Sequence, residues 1–158
     1  MKEEVKPDQV TRHSSRSRSA MRRYVLDANA LIAYFEGRRG VAEKVRHLLG
    51  EALRYDSPLL MSALNWGEVF YLAWRHHGEA KAYEANSKLQ QMPIAVIGAD
   101  RERATRAAAL KHKHSLGYAD SFAAELAIDH RAWLVTADPD FAKVGKTLSV
   151  FSLPRHPK

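Results

Sequence analysis

Four carboxylates in the 158-residue chain have neighbours that do not suit a simple solvated face: Asp27, Glu68, Asp120 and Asp138. Asp27 ends the short apolar run Tyr24-Val25-Leu26, and Asp138 follows Trp133-Leu134-Val135 after Thr136-Ala137. Runs of this kind read as buried strands, and in open parallel sheets sites form beyond the carboxyl ends of the strands. Glu68 and Asp120 fall on helical stretches. At 3.6 residues per turn, Glu68 shares its side with Leu64, Tyr71 and Leu72. Asp120 shares its side with Leu116, Ala123, Ala124 and Ala127, while Glu125 and Asp129 fall on the opposite face, where charge is expected to meet water. A carboxylate on a packing face is strongly disfavoured unless it is paired, protonated or bound to a cation.

Each acid also has a plainer reading. Asp27 alone, and Asp138 before Pro139 still more, are good helix N-caps. Glu68 has Arg75 two turns on as an ion-pair partner, and Asp120 could open its helix after Gly117. The set of four, converging on one rim, points further. Clustered carboxylates repel and raise one another's pKa, and a hard divalent cation removes that conflict. Oxygen ligands in a chain without cysteine select Mg²⁺, with Mn²⁺ as its substitute, over zinc. Such a centre suits phosphoryl chemistry, because one ion activates an attacking water and a second stabilises the leaving oxygen.

The elements that must position these acids alternate along the chain. Strands are expected at Tyr24–Leu26, Leu59–Met61, Ile94–Ile97, Ala132–Val135 and Thr147–Phe151. Helices are expected from Ala28 to Phe35 and over Val41–Leu53, whose stripe is Val41, Val45, Leu48, Leu49 and Leu53. Further helices run from an N-cap at Ser62 to about His76, from Glu79 to Gln91, from Asp100 to about His112 and from Tyr118 to His130. Pro139 to Ala142 reads as a helical turn. Strands separated by helices imply an α/β fold with a parallel sheet covered on both faces.

Composition bounds the partners. Lys and Arg number 25 against 18 Asp and Glu, a formal charge of +7, which suggests a polyanion such as nucleic acid. Zero cysteine excludes disulfide scaffolds, thiolate metal sites and cysteine nucleophiles, and agrees with a reducing cytoplasm. No apolar run reaches the ~18–20 residues of a membrane span. Residues 1–20, rich in Ser and Arg, read as a disordered leader or basic arm ahead of a domain at 21–155, with Met21 a second candidate start. That leader holds five basic and three acidic residues, so the domain remains basic without it.

At its acidic residues the chain resembles the PIN-domain ribonucleases, and among them the VapC-like toxins of bacterial toxin–antitoxin pairs. The matching text is Tyr24-Val25-Leu26-Asp27-Ala28-Asn29, Ser62-Ala63-Leu64-Asn65-Trp66-Gly67-Glu68-Val69, Leu116-Gly117-Tyr118-Ala119-Asp120-Ser121 and Leu134-Val135-Thr136-Ala137-Asp138-Pro139-Asp140-Phe141. Each motif alone is weak; the four in order across about residues 22–152 are a strong signal. The resemblance implies a three-layer α/β/α fold with a mainly parallel five-stranded sheet and Mg²⁺-dependent endoribonuclease activity. It implies Asp27, Glu68 and Asp120 as principal metal ligands, completed by Asp138, with Asn29 and Thr136 orienting Asp27. It also implies an RNA substrate, a homodimer and a cognate VapB-like antitoxin with a basic tail for the acidic pocket. Asp140 keeps the default reading of a solvated turn acid.

Other features read structurally. Lys111-His112-Lys113-His114 and His76-His77 are expected as solvated helix C-termini, favoured by the helix dipole. Trp66, Phe70 and Trp74 form a stripe at i, i+4, i+8, expected in the core or a dimer interface rather than stacked on bases. Arg101, Arg103 and Arg106 are the candidate RNA contacts. Two other classes share some of these features. A haloacid-dehalogenase-like phosphatase needs a second Asp where this chain has Asn29. A non-catalytic RNA-binding or antitoxin-sequestering PIN module would have a degenerate acid set, whereas all four acids are present.

Overall fold

Tyr24, Val25 and Leu26 form only three residues of strand, yet they are the centre of the molecule. In the computed structural model, which describes residues 22–155, this strand is β1 (Tyr24–Leu26). The leader expected over 1–20, and Met21 at the expected domain start, lie outside the described residues. After β1 come α1 (Ala28–Phe35), α2 (Val41–Arg54), β2 (Leu59–Ser62), α3 (Ala63–His77), α4 (Glu79–Gln90) and β3 (Ile94–Ile97). Then follow α5 (Arg101–His114), α6 (Tyr118–Asp129), β4 (Trp133–Thr136), a 3-10 segment at Pro139–Thr147 and β5 (Ser149–Ser152).

The sheet order is β3-β2-β1-β4-β5, with every neighbouring pair parallel. Val25 lies between Leu60 of β2 and Leu134 of β4. The α/β/α expectation with five parallel strands therefore holds. Successive strand residues face opposite ways, so Leu26 and Val25 feed separate cores. Leu26 joins Leu31, Val45, Leu49, Met61 and Val69 beneath α1, α2 and α3. Val25 joins Ala123, Leu126, Leu134, Phe141 and Leu148 beneath α6 and the 3-10 segment.

Local signals explain most boundaries. Ser62 caps α3 by accepting the Asn65 N–H at 3.1 Å, and Asp100 caps α5 by accepting that of Arg103 at 2.8 Å. Gly40 begins α2 in the left-handed region, φ 79°, with its N–H on the Glu43 carboxylate. Two expectations need adjustment. Leu53, counted in the α2 stripe, is 69% exposed, because the stripe drifts round the helix by its last turn. The turn after Pro139 continues to Thr147 because Phe141 and Val144 bury beneath it, and Gly145 (φ 74°) breaks it.

The chain leaves β1 on one side to build β2 and β3, then returns to lay β4 on the other side. The gap between β1 and β4 at their carboxyl ends is the topological switch point, where ligands bind in open α/β sheets. Asp27 and Thr136 sit there. Among the described residues no helix is long and apolar enough to cross a membrane.

Candidate metal centre

Asp27 extends β1 by one residue, its N–H bonding to Val135 O at 3.2 Å, and its side chain is fully buried. It stands in the N-cap position of α1 but makes no side-chain cap hydrogen bond. Instead Oδ2 accepts from Thr136 Oγ1 at 2.7 Å, and Oδ1 is buried with no hydrogen-bond partner among the described residues. Thr136 Oγ1 in turn accepts the Asp138 N–H at 3.0 Å. Asp138 behaves as the plainer reading anticipates: it caps the 3-10 segment, its Oδ1 accepting the Asp140 N–H at 2.8 Å.

Two helices bring in the other acids. Glu68 projects from the second turn of α3, and Asp120 from the first turn of α6. Oxygens of Asp27, Glu68 and Asp120 all lie within 4.8 Å of one another. Asp138 lies outside that group, at its rim. Glu68 does not pair with Arg75, whose guanidinium donates to Tyr71 OH at 3.2 Å.

The electrostatics follow from this crowding. Burial pushes the Asp27 carboxyl up to about 7; the Thr136 hydroxyl opposes the rise, and Asp120, Glu68 and Asp138 add to it. Burial also raises Glu68, helped by Asp120. Asp120 is raised by burial and then by Asp138, against the Gly117 N–H and more weakly the Lys111 ammonium. A hard divalent ion fits this donor set: three half-buried or buried carboxylates, no neutral nitrogen or sulfur, and one oxygen left without a partner.

The family follows from the chain itself, since residues 24–147 match the family described as PIN domain. The chain belongs to the PIN domain family. No curated protein sequence matches it. Among solved structures, this PIN domain is similar to a toxin–antitoxin complex from Klebsiella pneumoniae, at 25% identity and TM-score 0.59, over 82% of this chain and 96% of that one. It is also similar to VapBC2 from Rickettsia felis bound to a promoter DNA fragment, at 15% identity and TM-score 0.65, over 83% of this chain and 98% of that one. A third is VapC20 from Mycobacterium tuberculosis, described as a Sarcin-Ricin loop cleaving toxin, at 16% identity and TM-score 0.59, over 77% of this chain and 95% of that one.

Two residues around the PIN centre escaped the sequence reading. Gly117 is needed for space, because a Cβ there would collide with the Asp120 carboxylate. Lys111, expected as part of a solvated helix end, donates Nζ to Leu116 O at 2.9 Å and places its charge beside Asp120. The signal was present in the short spacing from Lys111 to Gly117, but only the turn between α5 and α6 brings it into effect.

Three expectations are corrected. Asn29 makes no hydrogen bond to Asp27: it is exposed, Oδ2 accepts from Thr136, and Oδ1 has no partner among the described residues. The helix turns about 100° per residue and carries position 29 to the solvent side. Glu125 is not solvated; it is 2% exposed, with Oε2 on Arg103 and Oε1 on Arg106 at 2.5 and 2.8 Å. Helix α5 covers that side of α6, and Arg103 also reaches Asp129 at 3.0 Å. Arg103 and Arg106 are thus held by acids within the PIN domain, leaving Arg101 as the exposed member of the trio without such a pair among the described residues.

The aromatic stripe is structural at its start: Trp66 Nε1 donates to Asn86 Oδ1 at 3.1 Å and ties α3 to α4. Phe70 packs edge to face against both Trp74 and Tyr83, its ring centre 5.3 Å from that of Tyr83, and the Trp74 and Tyr83 rings are tilted at 54° to each other. Trp74 and Tyr83 remain exposed.

Proposed function

We propose that the protein is a divalent-metal-dependent endoribonuclease and the toxic component of a toxin–antitoxin pair, acting in the cytoplasm. The observation that carries this reading is the fully buried Asp27 carboxylate, one oxygen of which has no partner among the described residues, grouped with Glu68 and Asp120 within 4.8 Å. Three carboxylates held this close repel unless protons or a cation balance them, and a divalent cation does so with all three ionised. Asp27, Glu68 and Asp120 would hold Mg²⁺, or Mn²⁺ in its place, and Asp138 would complete the centre from the rim. The bound ion would supply a nucleophilic water and charge stabilisation at the phosphodiester.

The protein groups divide the remaining work. Thr136 fixes the Asp27 carboxylate in one orientation, leaving its other oxygen for the ion. Gly117 gives Asp120 room to turn inward. The basic scaffold, 25 Lys and Arg against 18 acids overall, would hold the RNA phosphates around the acidic centre.

An antitoxin partner is supported by relatives solved as toxin–antitoxin complexes. An apolar groove of about 260 Å³ between α1, α3 and α4, lined by Ile32, Phe35, Val69 and Leu72, offers such a partner a surface. The exposed Tyr71, Trp74 and Tyr83 offer another for a homodimer. The deciding experiment is RNA cleavage by the purified protein with Mg²⁺ and with EDTA, beside Asp27→Asn and Asp120→Asn. Cleavage should require the ion and vanish in both variants while their circular dichroism stays native. Cleavage surviving in both variants would refute the catalytic role, and absence of cleavage together with no carboxylate-dependent Mn²⁺ uptake would favour a non-catalytic module.

A further inference from the structure

A second group of metal-binding side chains lies at the rim of the α1/α3/α4 groove, and its chemistry differs from that of the carboxylate centre. Glu36 follows the last turn of α1 as its C-cap, and His76 and His77 end α3. One ligand atom from each of the three lies within 4.8 Å of the others. Read along the sequence, His76-His77 is merely a helix end. Packing of α1 against α3 brings in the carboxylate from 40 residues upstream.

We infer that Glu36, His76 and His77 form a binding site for a borderline divalent metal ion of the zinc class. Two imidazoles with one carboxylate are a donor set for Zn²⁺, Ni²⁺ or Co²⁺, with further positions filled by water, and a poor one for Mg²⁺. The Glu36 carboxylate is already oriented for it. Oε2 is held by Arg38, with Nε at 2.7 Å and the second guanidinium nitrogen at 2.6 Å. Oε1 faces His77 Nε2 at 3.9 Å. Ligand atoms about 2.0–2.2 Å from a tetrahedral ion stand roughly 3.3–3.5 Å apart. The required closure is therefore a small rotation of exposed side chains, while Arg38 steadies the carboxylate as an outer-shell partner.

The backbone dipoles also suit a cation. The negative ends of two helix dipoles, those of α1 and α3, meet here. The neighbouring ammonium groups of Lys81 and Lys88 both pair with Glu84 at 2.7 Å, which offsets one of their two charges. An ion at this position would cross-link the ends of α1 and α3 and stiffen one wall of the groove.

The test is isothermal titration calorimetry of the full-length, untagged, EDTA-stripped protein with Zn²⁺ and separately with Mn²⁺. His76→Gln/His77→Gln should weaken one Zn²⁺ site by about tenfold or more and leave Mn²⁺ binding unchanged. Asp27→Asn should show the reverse, losing Mn²⁺ binding and keeping that Zn²⁺ site. Glu36→Gln should weaken Zn²⁺ binding in the same direction as the histidine pair. With Co²⁺, the visible absorption of a nitrogen-ligated ion should disappear in the histidine variant. A Zn²⁺ isotherm indifferent to His76, His77 and Glu36, or one abolished only by Asp27→Asn, would overturn the inference. The outcome is independent of whether the protein cleaves RNA.

Discussion

Thr136 Oγ1 and Asp27 Oδ2 are hydrogen-bonded at 2.7 Å across 109 positions of sequence, and this bond joins the two central strands at their carboxyl ends. The same hydroxyl accepts the Asp138 N–H, so one oxygen sets both a buried carboxylate and the backbone of the rim acid. Thr136→Val should weaken Mn²⁺ binding by about 10–100-fold, because the orienting bond is lost and the Asp27 carboxyl moves further above its ordinary range. Thr136→Ser should retain most of the affinity. Calorimetric titration of both variants checks this, and equal affinities would contradict the orienting role.

Asp27→Asn should separate stability from activity. It removes a buried charge that three other acids oppose, so in EDTA at pH 7.5 the variant should be more stable than the parent by about 1–3 kcal/mol. It should show no RNA cleavage. Urea unfolding and a cleavage assay on the same preparation test the pair of outcomes, and an unstabilised Asp27→Asn would argue against electrostatic strain at the centre.

Metal-free stability should fall as pH rises. The Asp27 carboxyl lies near 7 when folded against 3.8 in the unfolded chain, so the native state binds the extra proton between those values. Stability then declines as pH climbs through that interval, with Glu68 and Asp120 acting in the same direction. Glu84, lowered to about 2 by Lys81 and Lys88, and Glu43, also lowered, act oppositely but only as pH drops below their ordinary range. The urea midpoint should therefore decrease from pH 5 to 8 in EDTA, and saturating Mn²⁺ should abolish or reverse the trend. A midpoint rising with pH in EDTA would contradict it.

Gly117→Ala should lose cleavage and Mn²⁺ affinity, because the added methyl occupies space used by the Asp120 carboxylate. The backbone there is compatible with any residue (φ −58°) and the colliding atoms are the end of the Asp120 side chain, which can turn away, so the fold should survive with little loss of stability while the carboxylate leaves the centre. Circular dichroism, thermal melting and Mn²⁺ titration together distinguish this from unfolding.

Arg103→Met should destabilise the protein by about 1–3 kcal/mol, since it strips one of two guanidinium partners from the buried Glu125 and leaves it with Arg106. Arg103→Met/Glu125→Leu should recover most of the loss. Urea unfolding of the single and double variants measures the difference, and a small loss in the single variant would make the pair peripheral.

Strand-end acids and helix-face acids were legible because both patterns are local. Asp27 and Asp138 follow apolar runs, and Glu68 and Asp120 share sides with apolar residues at helical spacing. What a second layer of helix does to a face was not legible. The wheel places Glu125 opposite Asp120 correctly, but α5 lies over it and supplies Arg103 and Arg106. In hindsight, two Arg three apart on one helix and Glu125 with Asp129 four apart on the next are complementary faces. Asn29 failed for a related reason, since proximity in sequence to Asp27 does not survive the first turn of α1. The Glu36 carboxylate beside His76-His77 needed the packing of two helices to appear at all.

The sheet order has a consequence for biosynthesis. β1 is synthesised first among the strands yet receives its second neighbour, β4, only after some hundred further residues have been added. A chain interrupted before Thr136 lacks the hydroxyl that orients Asp27 and leaves one side of β1 without its ladder. The centre thus comes into being only once β4 and Thr136 have left the ribosome, and copies interrupted earlier carry its acids without the arrangement that unites them.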